Sequence, residues 1–188
     1  QFQEMYFSSF NYDPSKKIID KFPLNLLELG FIKTIFPNSK IILAIRHPLD
    51  CILSCVLTAF KINEAMLNFE NLKTAAFFYN SSFTLLNKYI DFFKINLHQI
   101  RYEDVVFDFE NQINKLLNYL DLEYEDAILD FYKTAKNREK IHTPSYDQVV
   151  KPLYSSSINR HANFVEIKAI IKDVEKWINL YSYKKPIF

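Results

Sequence analysis

Apolar side chains recur at a helical spacing along most of the chain. The longest apolar stripe is formed by Phe69, Leu72, Ala76, Tyr79, Phe83, Leu86 and Ile90. Residues three and four apart lie on one face of an α-helix, so this stripe predicts a helix with one buried face. The same pattern predicts helices at about 26–35, 50–60, 63–93, 113–120, 127–135 and 164–181.

Two short stretches have the pattern of buried strands instead. Ile41–Ile45 is an uninterrupted apolar run rich in β-branched residues, and Leu97–Tyr102 is the second candidate. Strands that alternate with helices predict an α/β fold with a parallel sheet. Two parallel strands are too few for a sheet that stands alone, so we expect further strands outside this sequence. Residues 143–157 contain two prolines and four serines, which predicts a long loop.

Composition and charge narrow the class of protein. The chain has 188 residues, of which 49% are hydrophobic and 24% charged, and this predicts one globular domain over 1–188. A net charge of +1 gives no basic field, so we expect no nucleic-acid partner. No stretch approaches the roughly 18 apolar residues of a membrane span. Residues 1–10 also lack the basic region of a signal peptide, and we expect a cytoplasmic protein.

The single glycine excludes one kind of site, and the two cysteines raise the question of a metal site. Gly30 is the single glycine, so this sequence contains no glycine-rich loop that could close on a phosphate with backbone N–H groups. His47, Cys51 and Cys55 are spaced like part of a metal site. Pro48 separates His47 from the helix, however, and a fourth ligand is missing. We therefore expect the cysteines to act as small buried hydrophobes, and we expect no metal.

The end of the first predicted strand carries a candidate anion site. Arg46 follows the strand directly, and ligands of open α/β sheets bind beyond the carboxyl ends of the strands. The guanidinium matches phosphate or sulfate, Ser54 adds a hydroxyl in the first turn of the next helix, and the free N–H groups there favour an anion. An Arg46 salt bridge to a carboxylate, with Ser54 as a packing residue, fits these residues equally well.

Four motifs follow one another in the order found in a known family. They are Asp20–Asn25, Arg46–Asp50 with Ser54, Arg101–Asp104, and the run Ser145–Arg160. Together they resemble the PAPS-dependent sulfotransferases, and among these the tyrosylprotein-sulfotransferase-like group with its bacterial proteins joined to helical repeats. The resemblance implies a three-layer, P-loop-NTPase-like sulfotransferase fold that is helix-rich and N-terminally truncated. The first strand and the 5′-phosphosulfate loop are expected to precede Gln1.

The resemblance also implies roles for single residues. Lys21 would be catalytic, because an ammonium near the transferred sulfuryl group stabilises the charge that builds on the leaving oxygen. Arg46 and Ser54 would hold the 3′-phosphate of the co-substrate PAPS and the product PAP, and Tyr102 would contact the adenosine. The loop that covers the nucleotide would contribute Ser145, Tyr146, Gln148 and Arg160. Without the resemblance these residues would be a solvated lysine, a core tyrosine and a surface loop with an exposed charge.

One departure of the chain from the family pattern lies around Arg160. Relatives commonly carry Gly-Arg-Trp where this chain has Asn159, Arg160 and His161. The cation is kept, whereas the tight turn and the stacking indole are expected to be lost. No residue is nominated as the catalytic base.

Three functions compete for this sequence. The first is sulfuryl transfer from PAPS, without a metal, to a hydroxyl or amine acceptor, which includes protein tyrosine and makes a protein or a glycan the expected partner. The alternative is a non-catalytic remnant or binding module of the same fold that uses its aromatic surface for a protein. A nucleotide kinase ranks last, because it needs a Mg²⁺-binding carboxylate after a strand and Asp50 is predicted to cap a helix.

Overall fold

The computed structural model describes residues 1–58, 60, 63–137 and 150–186. The chain divides into two compact units, and each is described in turn. The first consists of Gln1–Ile41 and Ser81–Leu97, and the second of Ile42–Asn80 and His98–Phe188. Three residues of the predicted nucleotide-covering loop lie outside the described residues: Ser145, Tyr146 and Gln148. The prediction that residues 1–188 form a single sulfotransferase domain stays a prediction.

The first unit contains two short helices, α1 (Phe2–Ser8) and α2 (Leu29–Ile35), together with the C-terminal part of α4 (Leu72–Phe93). Helix α1 was not among the predicted helices. Its aromatic side chains hold it in place, since the ring centroids of Tyr6 and Phe7 lie 5.2 and 5.8 Å from that of Phe36. Edge-to-face aromatic pairs of this kind contribute about 0.5–1.5 kcal/mol beyond the area they bury.

The predicted helix at 26–35 is divided in the structure. A 3₁₀ turn covers Pro23–Leu26, and α2 follows it from Leu29. Phe22 is extended, with φ −134° and ψ 128°, because the ring of the following proline disfavours the helical region for the residue before it. Proline then begins the turn, where its missing N–H costs nothing.

The single glycine of the chain allows a close contact inside the first unit. Gly30 is buried, and a Cβ at that position would lie 2.5 Å from Cε1 of Tyr89. The Tyr89 hydroxyl donates a hydrogen bond of 3.3 Å to the carbonyl of Leu27, which restrains the ring from moving aside. Glycine is therefore required here by packing rather than by an unusual backbone angle.

The strands are confirmed. Strands β1 (Ile41–Ile45) and β2 (Leu97–Arg101) are hydrogen-bonded neighbours in a two-stranded parallel sheet within the described residues. A helix directly follows each of them: α3 (Pro48–Leu57) follows β1, and α5 (Tyr102–Phe107) follows β2. The α/β class was thus predicted correctly.

The start of α3 was predicted wrongly. The helix begins at Pro48, with His47 as its N-cap, so Asp50 is not the cap and Ser54 lies in the second turn rather than the first. Proline is favoured at the first helical position because its φ is already helical and its missing N–H would have no partner there. The His47 Nδ1 accepts the N–H of Leu49 at 3.2 Å and does the work of a capping side chain.

The remaining helices of the second unit differ from the prediction mainly at their beginnings. The long helix α4 begins at Leu72 instead of 63, because the side-chain oxygen of Asn71 accepts the N–H groups of Lys73 and Thr74, each at 3.0 Å. The unit also contains α6 (Phe109–Leu120), α7 (Phe131–Asn137) and α8 (Ile171–Leu180). Short 3₁₀ turns cover Met66–Phe69, Asp126–Asp130, Arg160–Asn163 and Val165–Ile170.

Helices α3 and α8 pack against each other in the core of the second unit. The side chains that the unit buries there include Leu49, Ile52, Leu53, Ile167, Ile170, Val174, Trp177 and Ile178. Each large apolar side chain removed from water contributes about 1.5–3 kcal/mol. The indole N–H of Trp177 is satisfied as well, since it donates to Asn80 Oδ1 at 2.9 Å. None of the helices in the described ranges is long and apolar enough to cross a membrane.

We predict that Gly30→Ala destabilises the protein by about 1–3 kcal/mol, the usual cost of overpacking, even though alanine favours a helix by about 1 kcal/mol over glycine. The free energy of unfolding in urea measures the effect. The matched control is the same substitution in a Tyr89→Leu background, where the facing ring is absent and the cost should be much smaller. An equal cost in both backgrounds would contradict the packing explanation.

Candidate functional site

Arg46 and Tyr102 come together at the carboxyl ends of the two strands. Arg46 follows β1, Tyr102 follows β2, and the guanidinium carbon lies 5.5 Å from the centroid of the Tyr102 ring. Nη2 of Arg46 donates a hydrogen bond to the carbonyl of Ser157. The Nε–H of Arg46 is buried and has no hydrogen-bond partner within the described part of the chain. A buried donor without a partner is costly, which makes this N–H a candidate contact for an anionic ligand.

Residues 154–161 form a segment that lies over this edge of the sheet. The Tyr102 hydroxyl donates to the carbonyl of Tyr154 at 2.6 Å. Burial raises the pKa of Tyr102, so the phenol keeps its proton and remains a donor at neutral pH. Tyr102 and Arg46 therefore each bind a backbone carbonyl of the segment and hold it against the strand ends.

The buried carboxylate of Asp50 binds the same segment more tightly. Its Oδ2 accepts the N–H of Asn159 at 2.8 Å, and its Oδ1 accepts the N–H of His161 at 2.7 Å and lies 2.8 Å from the imidazole Nδ1. The side chain is 1% exposed. Burial alone would raise the pKa of Asp50, but the hydrogen bonds from His161 outweigh it and hold the pKa below its usual value. Asp50 is therefore an ionised acceptor.

The tight turn that was expected to be lost is present, and a histidine ring stacks at the position where relatives carry the indole. Asn159 adopts φ 57° and ψ 23°, the left-handed conformation that glycine takes most readily and asparagine tolerates best among other residues. The ring of His161 stacks on that of His47, with centroids 4.2 Å apart and an angle of 22° between the planes. Asparagine and histidine thus supply the turn and the stacked ring at these two positions.

His47 has a partner at each of its polar groups. Its backbone N–H donates to Glu103 Oε1 at 2.9 Å, and its ring Nε2 lies 3.1 Å from the carbonyl of Lys184. Because Nδ1 accepts the N–H of Leu49, the proton must sit on Nε2, where it can be donated to the carbonyl. Burial lowers the pKa of His47, which keeps the ring neutral.

Glu103 connects this network to the C-terminal part of the chain. It is buried, and its Oε2 accepts a hydrogen bond of 2.9 Å from the Tyr183 hydroxyl while Oε1 holds His47. The guanidinium carbon of Arg101 lies 4.2 Å from the centroid of the Tyr183 ring, a cation–π contact. Both buried carboxylates at this edge, Asp50 and Glu103, are consequently hydrogen-bonded, as buried charges must be.

The beginning of α3 offers an anion fewer donors than its sequence suggested. Pro48 has no N–H, and the N–H of Leu49 is taken by the His47 ring. Asp50 places a carboxylate in the first turn, which already complements the helix dipole. An anion at this edge therefore depends on arginine side chains more than on the helix N-terminus.

The metal interpretation of His47, Cys51 and Cys55 is not supported by the positions of these side chains. Both ring nitrogens of His47 are engaged with protein groups, as described above. The two thiols are half-buried and hydrogen-bonded to each other, and this bond raises the pKa of Cys55. The described residues include no group of three His, Cys, Asp or Glu side chains arranged to hold a metal ion.

Lys21 belongs to the first unit, where a neighbouring residue is held in place. The carboxylate of Asp20 accepts a 2.9 Å hydrogen bond from the Tyr6 hydroxyl and a 3.3 Å bond from the side-chain amide of Asn25. Lys21 itself is exposed. The two polar ends of the Asp20–Asn25 motif thus bond to each other around the lysine and the proline.

The structure brings together part of the predicted set. Arg46, Tyr102 and the segment that carries Arg160 meet at the strand ends, and Ser54 lies in the helix that begins beside them. The sequence interpretation missed Asp50, Glu103 and His161 as a connected network. One signal was available, because Asp50 and Glu103 are charged residues next to strands that the pattern marks as buried.

Comparison with known proteins identifies the family. A model of the sulfotransferase family matches residues 1–126, which is more than half of the chain. The chain belongs to the sulfotransferase family. The chain is also similar in structure to the sulfotransferase domain from the curacin biosynthetic pathway, with a TM-score of 0.59 and 18% identity over 98% of this chain and 68% of that one. The structural match confirms the predicted sulfotransferase fold.

A relative from a bacterium shares the same sequence region. It is an uncharacterized protein of Aquifex aeolicus (strain VF5), 27% identical over 172 residues. The alignment covers 91% of this chain and 20% of the relative, so the chain spans about a fifth of that protein's length.

We predict that His47 makes stability depend on pH. The folded state lowers the pKa of His47, so the unfolded chain takes up more protons as the pH falls from about 6.5, and the folded state loses stability there. His47→Asn keeps a capping acceptor but no titrating ring. The free energy of unfolding should therefore fall less between pH 7 and pH 5 in this variant than in the wild type, as measured in urea.

His98→Asn is the comparison for this measurement. The His98 ring is less buried and stacks on Tyr119, with centroids 5.3 Å apart. Its removal should change the pH dependence less than removal of His47. If His47→Asn leaves the slope of stability against pH unchanged, the assignment of a neutral, buried His47 is wrong.

Proposed function

We propose that this sulfotransferase uses PAPS as its co-substrate and that the edge built from Arg46, Tyr102 and residues 154–161 holds the 3′-phosphate. The observation that carries the proposal is the buried Nε–H of Arg46, which has no partner in the described part of the chain, while Nη2 of the same guanidinium donates to the carbonyl of Ser157. A phosphate oxygen would satisfy this donor. The planar guanidinium can present two parallel N–H groups to such an anion.

The residues of this edge are proposed to bind different parts of the co-substrate. Arg46 supplies charge at the end of β1, and Ser54 is proposed to add a hydroxyl from α3. Tyr102, whose ring lies beside the Arg46 guanidinium, is proposed to contact the adenosine. Arg160 is exposed on the segment that Asp50 holds and is proposed to be the second cation. Ser145, Tyr146 and Gln148 keep their proposed place in the loop over the nucleotide.

Bound PAPS supplies an activated sulfuryl group, which passes to the acceptor oxygen or nitrogen while PAP leaves. The S–O bond to the phosphate breaks as the new bond to sulfur forms, and the acceptor proton is released. Lys21 is proposed to stabilise the negative charge on the leaving oxygen electrostatically. The acceptor is proposed to be a hydroxyl, including that of protein tyrosine, or an amine, on a protein or a glycan.

We predict that PAP binds the 188-residue chain and that Arg46→Ala weakens this binding by at least about 2 kcal/mol, which is roughly 30-fold, because a charge-assisted contact is lost. Isothermal titration calorimetry with PAP, adenosine 3′-phosphate and adenosine 5′-phosphate measures the effect. Adenosine 3′-phosphate should lose affinity along with PAP. Adenosine 5′-phosphate should be affected least, since it lacks the group that Arg46 is proposed to bind.

Lys172→Ala is the matched control, because it removes one positive charge from an exposed position on α8. Its affinity for PAP should equal that of the wild type. Equal PAP affinities of the wild type and Arg46→Ala would remove the proposed role of Arg46. If neither PAP nor adenosine 3′-phosphate bound to the wild type, the proposed co-substrate would be wrong.

A further inference from the structure

The residues on either side of Arg160 are both bound to one carboxylate. The N–H of Asn159 donates to Oδ2 of Asp50 at 2.8 Å, and the N–H of His161 donates to Oδ1 at 2.7 Å. Asp50 lies 109 and 111 residues earlier in the chain, in the first turn of α3. Between the two bonds Arg160 remains exposed. The carboxylate therefore fixes the backbone of Arg160 without touching its side chain.

The backbone around Arg160 is fixed by further bonds of its own. Asn159 takes the left-handed conformation, and the N–H of Ala162 donates to the Asn159 carbonyl at 3.1 Å. Three residues before Arg160, the carbonyl of Ser157 accepts the bond from Arg46. The segment is thus attached to the end of β1 through Arg46 and to the start of α3 through Asp50.

A carboxylate is the side chain that this place needs. Three donors converge on Asp50, two on Oδ1 and one on Oδ2. An ionised aspartate is an acceptor at every lone pair, whereas asparagine would turn an N–H₂ group toward one of the two backbone N–H groups. Because Asp50 is only 1% exposed, water cannot reach this place to replace a lost acceptor unless the structure changes.

We infer that Asp50 is a positioning residue for the anion site, acting through Arg160. Its carboxylate clamps residues 159–161 so that the second arginine is held at the strand edge where Arg46 already lies. This inference rests on the proposed 3′-phosphate site, because a ligand phosphate is what the two arginines are held to bind. Asp50 itself makes no contact with that ligand, and its own charge is taken up by the three hydrogen bonds.

The experiment is a double-mutant cycle on PAP affinity, with Asp50→Asn, Arg160→Ala and the double variant. Asp50→Asn and Arg160→Ala should each weaken PAP about tenfold, the loss of one charge-assisted contact. If Asp50 acts through Arg160, the double variant should bind PAP within about twofold of Arg160→Ala alone. Asp173→Asn, the same substitution at an exposed site on α8, is the control and should leave the affinity unchanged.

The double-mutant cycle gives a different result if Asp50 only stabilises the fold and does not position Arg160. In that case Asp50→Asn would weaken PAP by the same factor with Arg160 present or absent, and this outcome would overturn the inference. Equal PAP affinities of the wild type and Asp50→Asn would overturn it as well. For the case that Asp50→Asn does not fold, His161→Phe is the second variant, since it keeps the stacked ring and the backbone N–H but removes the bond from Nδ1. It should show a smaller loss with the same dependence on Arg160.

Hydrogen exchange separates failure of the clamp from failure of the proposed function. In the wild type the amides of Asn159 and His161 should exchange slowly, and in Asp50→Asn they should exchange at least about tenfold faster. Unchanged protection in Asp50→Asn would overturn the clamp even if PAP binds. Lost protection in a protein that binds no PAP would instead overturn the proposed co-substrate, and with it the role of the clamped segment at a phosphate.

Discussion

The edge of the sheet described above depends on the buried Asp50 carboxylate and its three hydrogen bonds from the segment 159–161. A carboxylate removed from water costs several kcal/mol unless its oxygens are bonded. The hydrogen bonds from residues 159–161 therefore stabilise the buried carboxylate, and the carboxylate in turn holds these residues in place. The stack of His161 on His47, and the bond from His47 to Glu103, extend the same constraint from α3 to α5. The proposed phosphate site and the stability of the second unit consequently share one network.

This network also explains how a chain with a single glycine can keep a tight turn. Asn159 pays a small conformational cost in the left-handed region, and its N–H gains a charge-assisted bond to Asp50 at 2.8 Å. Such a bond contributes about 1.5–3 kcal/mol, which is enough to offset the roughly 1–2 kcal/mol cost of a left-handed residue. His161 in turn places its ring Nδ1 2.8 Å from Oδ1 of Asp50, a hydrogen bond that a ring without nitrogen could not make. The two departures from the family pattern therefore support each other.

The sequence predicted the local features of this site better than its long-range contacts. The strand before Arg46 could be predicted because an uninterrupted apolar run is a strong local pattern, and the resemblance indicated Tyr102 and Arg160. The start of α3 was misplaced because Asp50 resembles a capping residue, whereas Pro48 at the first helical position and the His47 ring decide where the helix begins. The partners of Asp50 lie more than a hundred residues away, and no periodicity carries that information.

The distribution of donors at this edge determines which groups of the proposed phosphate site can bind an anion. Glycine-rich loops bind phosphate with backbone N–H groups, but here Pro48 has none and the His47 ring accepts that of Leu49. Positive charge must come from arginine side chains, whose position depends on packing and on the residues that hold them. The Arg46 guanidinium is fixed by the Ser157 carbonyl and lies beside the Tyr102 ring, with one N–H buried and unpaired among the described residues. A preorganised guanidinium loses little entropy when it binds a phosphate, so the contacts that hold the arginines are as important for affinity as the arginines themselves.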